Sequence, residues 1–407
     1  MQEVSAQLAE VVRIEGGRVV AVLTRTLGDL TLAEDAVQEA VLTALQTWPR
    51  SGLPDAPRAW LLTVARRKAL DVLRREQNRT SKEEAAMGLA EQLRDDGPPE
   101  PSAVDDDLLR LVFTCCHPAL GFEARVALTL RTVCGLSVPD IARVLMASED
   151  AVAKRLVRTR QKIARAGIPY RVPPDAELPA RLTAVAAVVH LVFTAGYAGA
   201  PGSELVRVDL CAEAIRLARL LADLMPGEAT LLGLLALMLL TAARRDARLD
   251  ADGELVLLAD QDRSRWHSDE IAEGLALLDE SLRRSDGLAD RYQLEAAVAA
   301  AHVAPGGTDW HEVLRLYGLL AEVAPSPAVD VNRAVAVGEV HGPEAGLALL
   351  DTLPPMPPLG LHVARADMLR RLGRTDDAVA AYRAALASAP SAPEVRFLQG
   401  RVAALIG

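Results

Sequence analysis

The sequence SVPDIARVLMASEDAVAKRLVRTRQKIARAG, residues 137–167, carries the signals of two short helices joined by a tight turn. Ser137 is a favourable N-cap residue, and Pro139 fits the first turn that follows it. Ser148 is a second N-cap, and Glu149 follows it where negative charge stabilises a helix N-terminus. A helix, a tight turn and a second helix in this order predict a helix-turn-helix within an all-α fold.

The second of these helices has two chemically different sides at 100° per residue. Lysine and arginine contact phosphates and guanine edges when a recognition helix lies in the DNA major groove. The alternative is a solvated charged face on a surface helix. The predicted core-facing side contains Val152, Leu156, Thr159 and Ile163, and the basic side contains Lys154, Arg155, Arg158, Lys162 and Arg165.

The rest of the chain is also predicted to be helical. Apolar residues recur at 3.6-residue spacing, aromatic residues make up 3% of the sequence, and no convincing run alternates with period two. We therefore expect an all-α protein with two small helical domains followed by an α-solenoid. The expected segments are a helical bundle over 1–80, an acidic linker over 81–107, the helix-turn-helix domain over 108–170 and the solenoid over 171–407.

The first domain is predicted to contain three helices. The first ends near Leu27, and the second covers 31–48, with Thr31 as N-cap and Glu34 completing a capping box. The third is expected to begin at Pro57 and to end near Asn78. Three helices of this length predict a compact bundle.

Charge and composition divide the chain in the same way. Between Glu83 and Asp107, nine acidic residues accompany one arginine around a proline-rich centre, which is typical of a linker. Residues 1–170 contain 23 basic and 23 acidic side chains, so the net charge of −10 arises in residues 171–407. This asymmetry suggests nucleic acid as the partner of the first part, and protein binding or self-association for the second.

The last part of the chain contains an imperfect repeat. Ala378, Tyr382, Ala385 and Pro390 have the spacing of the second half of a tetratricopeptide repeat. Related prolines at 226, 325, 358 and 390 are 99, 33 and 32 residues apart, close to three, one and one periods. We expect stacked helix pairs, with one degenerate or interrupted unit near Arg291.

Composition also bears on location and cofactors. No signal-peptide pattern follows Met1, and the most apolar run, residues 229–243, is too short to span a bilayer, so we expect a cytoplasmic protein without a membrane partner. The four cysteines lack disulfide or metal-ligand spacing, and we expect no metal or other cofactor. The seven histidines are scattered and no phosphate-binding loop occurs, so no catalytic residues are predicted.

A second basic surface is predicted on the third helix. An aromatic residue near arginines can stack on an unpaired base while the cations hold the strand's backbone. The alternative for this aromatic residue is packing against the bundle core. The turn over 48–57, rich in proline, is suited to hold a flipped base. The candidate residues are Trp60, Arg67, Lys68, Arg74 and Arg75.

These motifs together resemble a known family. The first part of the chain resembles regions two and four of bacterial RNA polymerase sigma factors of the extracytoplasmic-function group. The segments that carry this resemblance are LAEDAVQEAVLTALQTWP, PRAWLLTVARRKALDVLRR, the acidic linker that follows them and the helix-turn-helix. The resemblance covers 1–170. The stretches HLVFTAGYAGAPGSELVRVDLCAEAIRLARLL and LADQDRSRWHSDEIAEGLALLDESL resemble the subgroup that carries a long tetratricopeptide-like C-terminal extension.

The resemblance implies roles for individual residues. One set docks on core RNA polymerase, a second melts and reads the promoter element near the start site, and a third reads the more distant promoter element. The implied polymerase contacts are Asp35, Gln38 and Glu39. The residues implied to melt and read the promoter element near the start site are Arg67, Lys68 and the turn 49–55, beside Trp60. Arg74 and Arg75 are expected to bind phosphate. The residues implied to read the distant promoter element are Lys154, Arg155 and Arg158. Ser148 and Glu149 stand at the start of the same helix, and Lys162 lies nearer its end.

The expected function is therefore promoter-specific initiation by an initiation factor without catalysis of its own. We expect the extension to regulate or support this activity through a protein partner or an intramolecular contact with the basic faces. The alternative is a helix-turn-helix regulator with a tetratricopeptide-like sensor that acts without core polymerase. For the cluster Asp260, Asp262, Arg263, Arg265 and Trp266, two interpretations stay open: it lines that contact, or it forms a buried ion-pair network that braces a turn.

Overall fold

The computed structural model describes residues 2–77, 101–145, 147–197, 208–285, 287–353, 358–388 and 391–406. Over these ranges the chain is helical, and the extended pairing in them is one isolated bridge between Leu249 and Leu255. This confirms the predicted all-α class. The chain divides into two compact units, Met1–Val188 and Val189–Gly407.

The first unit begins with a bundle of three helices, α1 (Gln2–Leu27), α2 (Leu30–Ser51) and α3 (Pro57–Gln77). The ends of α1 and α3 agree with the sequence prediction. Leu23, Trp48 and Leu61 are almost fully buried between the helices. Burial of such large apolar side chains is the main stabilising term for a bundle of this size.

The predicted start of α2 is wrong. Asp29, not Thr31, is the N-cap: its carboxylate accepts hydrogen bonds from the backbone amides of Thr31 at 2.8 Å and Leu32 at 3.1 Å. Glu34 does not close a capping box, because it is 4% exposed and its carboxylate contacts the second domain. Both Asp29 and Thr31 are good N-cap residues, and only the observed backbone distinguishes them.

The second domain contains α4 (Pro101–Cys115), α5 (Phe122–Thr132), α6 (Val138–Val144) and α7 (Glu149–Ala166). Helices α6 and α7 form the predicted helix-turn-helix. Helix α7 ends where Gly167 takes a φ of +58°, a left-handed conformation that favours glycine.

The predicted linker extends too far. Helix α4 begins at Pro101 and includes the last seven residues assigned to the linker, 101–107. Asp107 is fully buried, within 3.2 Å of the Arg25 guanidinium and 3.0 Å of the Arg110 guanidinium. The run of acidic residues was interpreted as a linker to its end, whereas its last residue is paired inside the domain. Residues 81–100 of the predicted linker lie outside the described residues.

Helix α8 (Leu178–Tyr197) runs across the boundary between the two units, so the first unit extends beyond the predicted boundary at residue 170. It is long and apolar enough to cross a membrane by length and composition alone. Val185, Val188 and Val189 are fully or almost fully buried, and less than half of the apolar window of this helix is buried.

The second unit continues as a series of helices in which successive elements pack against each other. Its apolar residues form clusters between neighbouring pairs, as expected for a solenoid. The helices are α9 (Val208–Leu224), α10 (Ala229–Ala242), α11 (Ser268–Arg284), α12 (Arg291–Val303), α13 (Trp310–Val323), α14 (Pro327–His341), α15 (Pro343–Asp351), α16 (Pro358–Arg371), α17 (Thr375–Leu386) and α18 (Ala392–Ile406).

The repeat positions near the C-terminus are core positions. Ala378, Tyr382 and Ala385 are between 0% and 2% exposed, and the turn between α16 and α17 uses Gly373 with a φ of +70°. Pro390 of the predicted pattern lies outside the described residues. Small residues at these positions let paired helices approach closely, which explains their spacing in the sequence.

The interruption of the repeat is earlier than predicted. Helix α12, which begins at Arg291, is regular, and the irregular segment is 243–267, between α10 and α11. It contains a short hairpin in which the Val256 amide donates to the Arg248 carbonyl at 2.9 Å. This insertion separates two helices that still pack against each other.

The prediction that the polar cluster is a buried ion-pair network is wrong, and the other interpretation, that it lines the intramolecular contact, stays a prediction. Asp260, Asp262, Arg263 and Arg265 are exposed, while Trp266 is 9% exposed. Asp262 caps a short turn by accepting from the Ser264 amide at 2.9 Å, and Arg263 and Arg265 donate to the backbone carbonyls of Ala304 and Leu249. The cluster braces the insertion through backbone hydrogen bonds rather than ion pairs.

Candidate functional site

Helix α2 presents one polar face. Asp35, Gln38 and Glu39 are exposed, whereas Ala36 and Ala40 on the other side are buried in the bundle. The spacing of three and four residues places the three polar side chains together on the helix surface. Leu42, one turn further along this face, is 51% exposed. The face therefore combines acidic, amide and apolar groups.

The basic side of α3 lies next to this face. The Lys68 ammonium is 3.5 Å from the Glu39 carboxylate, so a residue predicted to bind DNA touches one predicted to bind polymerase. Arg67 and Arg74 are exposed, and Arg74 lies 4.0 Å from Asp71. The side chain of Arg75 lies outside the described residues.

Trp60 packs against the bundle core, which is one of the two roles considered from the sequence, and its role in base stacking stays a prediction. Its ring packs edge-on against Trp48, with ring centroids 5.2 Å apart, and it is half-buried. The turn between α2 and α3 covers residues 52–56. In this turn Gly52 has a φ of +80° and Leu53 is 43% exposed. The ring is therefore fixed by the core while one part stays accessible.

Helix α7 is built as the sequence predicts. The Ser148 hydroxyl accepts from the Ala151 amide at 3.2 Å, and Glu149 stands in the first turn. Val152, Leu156 and Thr159 are at most 4% exposed, and Ile163 is half-buried. These four residues attach the helix to its domain and leave the opposite side to solvent.

The basic residues of α7 fall into two groups. Lys154 and Arg158 are exposed on the side away from the core, and Lys154 also pairs with Asp150 at 2.6 Å. Arg155 is 28% exposed and forms an ion pair with Glu123 of α5 at 2.5 Å. The Lys162 ammonium donates to the carbonyl of Ala119. Arg155 and Lys162 thus form contacts within their own domain. Both line a groove of about 500 Å³ beside the helix.

Sequence reasoning missed Val157. It lies about 60° around the helix from Lys154, on the opposite side of Lys154 from Arg158, and is 50% exposed. From the sequence it was assigned to neither the core-facing nor the basic side of α7, and its exposed position makes it a further candidate contact residue.

The two domains of the first unit meet through buried polar contacts. The Glu34 carboxylate forms an ion pair with Arg160 at 2.5 Å and accepts a hydrogen bond from the Thr132 hydroxyl. Neighbouring Arg131 has a lowered pKa because burial penalises its charged form. A cavity of about 320 Å³ lies beside these residues, with Gln38 in its lining.

Helix α1 forms the other part of this junction. A Cβ atom on Gly17 would lie 2.5 Å from the carbonyl oxygen of Val133, so the two backbones approach too closely for any other residue. The Tyr170 hydroxyl is 2.8 Å from the carbonyls of both Ala21 and Asp107. Burial, with the nearby Asp107 charge, raises the pKa of Tyr170, which keeps the hydroxyl as a donor.

Comparison with protein families identifies four segments. Residues 11–79 match sigma-70 region 2, and residues 110–163 match sigma-70 region 4. Residues 359–402 match a tetratricopeptide repeat, which confirms the predicted repeat near the C-terminus. Residues 181–282 match a family of unknown function.

Related proteins support the same division. An uncharacterised protein of Rhizobium meliloti (strain 1021) is 42% identical over 397 residues, which cover 93% of this chain and 90% of that protein. The ECF RNA polymerase sigma-E factor of Haemophilus influenzae is 30% identical over 135 residues, 32% of this chain and 71% of that protein. The probable ECF RNA polymerase sigma factor SigI of Mycobacterium tuberculosis is 30% identical over 157 residues, 37% of this chain and 52% of that protein.

Proposed function

We propose a function for this chain from its family, because it belongs to the extracytoplasmic-function group of RNA polymerase sigma factors and carries a tetratricopeptide-like C-terminal extension. In this proposal it docks on core polymerase through α2 and directs initiation at its own set of promoters. RNA synthesis belongs to the polymerase, and this chain supplies binding energy and sequence recognition. Its place of action is then the cytoplasm, where the polymerase and the DNA are.

The exposed face of Asp35, Gln38 and Glu39 is the observation that carries the docking proposal. These residues have no role in the bundle core, which Ala36 and Ala40 supply from the other side of the helix. Two carboxylates and an amide suit a basic helical partner surface. The exposed Leu42 adds the apolar contact that stable interfaces require.

Promoter recognition is divided between the two domains. We assign the element near the start site to Arg67, Lys68 and the half-exposed ring of Trp60, because cations and an aromatic face together hold single-stranded DNA. Opening several base pairs costs on the order of 1.4 kcal/mol per stacked step, and stacking of captured bases at about 1–3 kcal/mol each offsets this cost. Arg74 and Arg75 hold phosphate in this proposal.

The distant promoter element is assigned to α7. Lys154 and Arg158 reach the DNA from the exposed side, and Ser148 and Glu149 stand at the end of the helix that enters the groove. Arg155 and Lys162 contact phosphate from the flank while their bonds to α5 and the preceding turn position the helix. The ion pair of Arg155 with Glu123 supports this positioning role.

The extension is proposed to regulate or support initiation through a protein surface. Its acidic balance, opposite to the basic faces of α3 and α7, supports an intramolecular contact as the mechanism. Removing residues 198–407 keeps α8 whole and should change promoter output sharply. Unchanged output from the shortened chain would contradict a regulatory role.

Docking is tested by measuring the affinity of full-length variants for core polymerase. Asp35→Ala and Gln38→Ala are each expected to weaken binding about tenfold, as for residues at the centre of an interface. Asp175→Ala is the matched control, because it removes an exposed carboxylate outside α2. Equal affinity of all variants would instead favour a regulator that acts without core polymerase.

A further inference from the structure

The exposed side of α7 carries an aliphatic group that the fold does not use. Val157 is 50% exposed, whereas Val152 and Leu156 of the same helix are at most 3% exposed. At 100° per residue, Val157 lies with Lys154 and Arg158 on the side turned away from the domain core. Its side chain therefore contributes little to the stability of the free protein.

The chemistry of the major groove limits what such a side chain can contact. Each base pair presents hydrogen-bond donors and acceptors there, and thymine alone adds an apolar group, the methyl on C5. A valine has no donor or acceptor and gains free energy only by burying apolar surface. Beside Lys154 and Arg158, which hold the helix against the DNA, its favourable neighbour is a thymine methyl.

We propose that Val157 is a specificity-determining residue that packs against the 5-methyl group of a thymine in the distant promoter element. This assignment rests on the proposed function of α7 as a recognition helix. Lys154 and Arg158 supply most of the affinity, and Val157 distinguishes thymine from cytosine at one position. Arg155, tied to Glu123 of α5, makes no distinction of this kind.

The assignment is tested by removing the methyl group from the DNA. Full-length protein with core polymerase is placed on a promoter in which deoxyuridine replaces thymine, one position at a time, in the distant element. Uracil keeps every hydrogen-bonding group of thymine and lacks only the methyl. The wild-type holoenzyme should lose about fourfold in promoter occupancy at one of these positions, the factor that corresponds to burial of one methyl group.

Protein variants identify the partner of that methyl. Val157→Ala should lose about the same factor on the thymine promoter and show no further loss with uracil at that position. Val157→Ile, which keeps a branched aliphatic side chain, should retain the discrimination. Arg155→Ala is the comparator, because it should weaken both promoters by one common factor. Helix α7 should remain folded in Val157→Ala, because Val157 is exposed and alanine is a strong helix former.

Three outcomes separate this assignment from the function on which it rests. Equal occupancy on all uracil promoters by the wild type would overturn the role of Val157 while leaving the sigma function intact. Retention of methyl discrimination by Val157→Ala would do the same. Absence of promoter-specific transcripts on unmodified DNA would overturn the proposed function and the assignment together.

Discussion

Replacing Glu34 by alanine should destabilise the first unit by about 3–5 kcal/mol, the range for breaking one side of a buried ion pair. Glu34 is 4% exposed, and the Arg160 side chain opposite it, 2.5 Å away, is 17% exposed. Truncation leaves the Arg160 charge without compensation and removes the acceptor of the Thr132 hydroxyl. The loss therefore falls on the junction between the two domains.

Hydrogen exchange resolved by peptide measures this loss locally in the full-length protein. Amides of α2 and α7 should exchange about two to three and a half orders of magnitude faster in Glu34→Ala, since every 1.4 kcal/mol is a factor of ten. Glu39→Ala is the matched control: its carboxylate is 57% exposed and 3.5 Å from Lys68, so the expected cost is below about 1 kcal/mol. Exchange in Glu34→Ala at the wild-type rate would refute the account of the junction.

Three further outcomes are expected. Gly17→Ala should lower the free energy of unfolding by about 1–3 kcal/mol, because the new Cβ atom would clash with the Val133 carbonyl. Gly16→Ala has only ordinary contacts and should raise the free energy of unfolding by about 0.5–1 kcal/mol. Denaturant titration compares the two variants. Asp29→Ala should cost about 1 kcal/mol through loss of the α2 cap, read from the urea midpoint, and an unchanged midpoint would contradict the assigned cap. Burial, and secondarily a neighbouring arginine, lower the pKa of His302 from 6.5 to about 4. The folded state with a neutral ring is therefore fully stable above pH 6.5, and this stability is lost as the pH falls from 6.5 toward 4. His302→Gln should flatten the melting temperature over this pH range, and an unaltered slope would contradict the assignment.

Several local signals were read correctly from the sequence, although the N-cap of α2, which is also a local feature, was not. The Ser148 cap, the ends of α1 and α3 and the core stripe of α7 depend on residues within a few positions of each other. Periodicity and capping residues encode this information directly. The polar face of α2 followed from the resemblance, and the structure places its three residues together in solvent.

Contacts between distant residues were not accessible in this way. Glu34 has the spacing of a capping-box residue, and its partners Thr132 and Arg160 stand 98 and 126 positions away, so no local pattern reveals the pairing. Asp107 ends an acidic run and is nevertheless buried, because Arg25 and Arg110 compensate its charge. The division of the basic residues of α7 likewise depends on a neighbouring helix rather than on helical angle alone.

The central claim is that this chain gives core polymerase its promoter specificity. The most direct measurement mixes purified full-length protein with sigma-free bacterial core polymerase and genomic DNA and sequences the 5′ ends of the RNA produced. We predict discrete start sites that share a two-part upstream motif, absent when the protein is omitted. Start sites that are random, or the same with and without the protein, would contradict the claim.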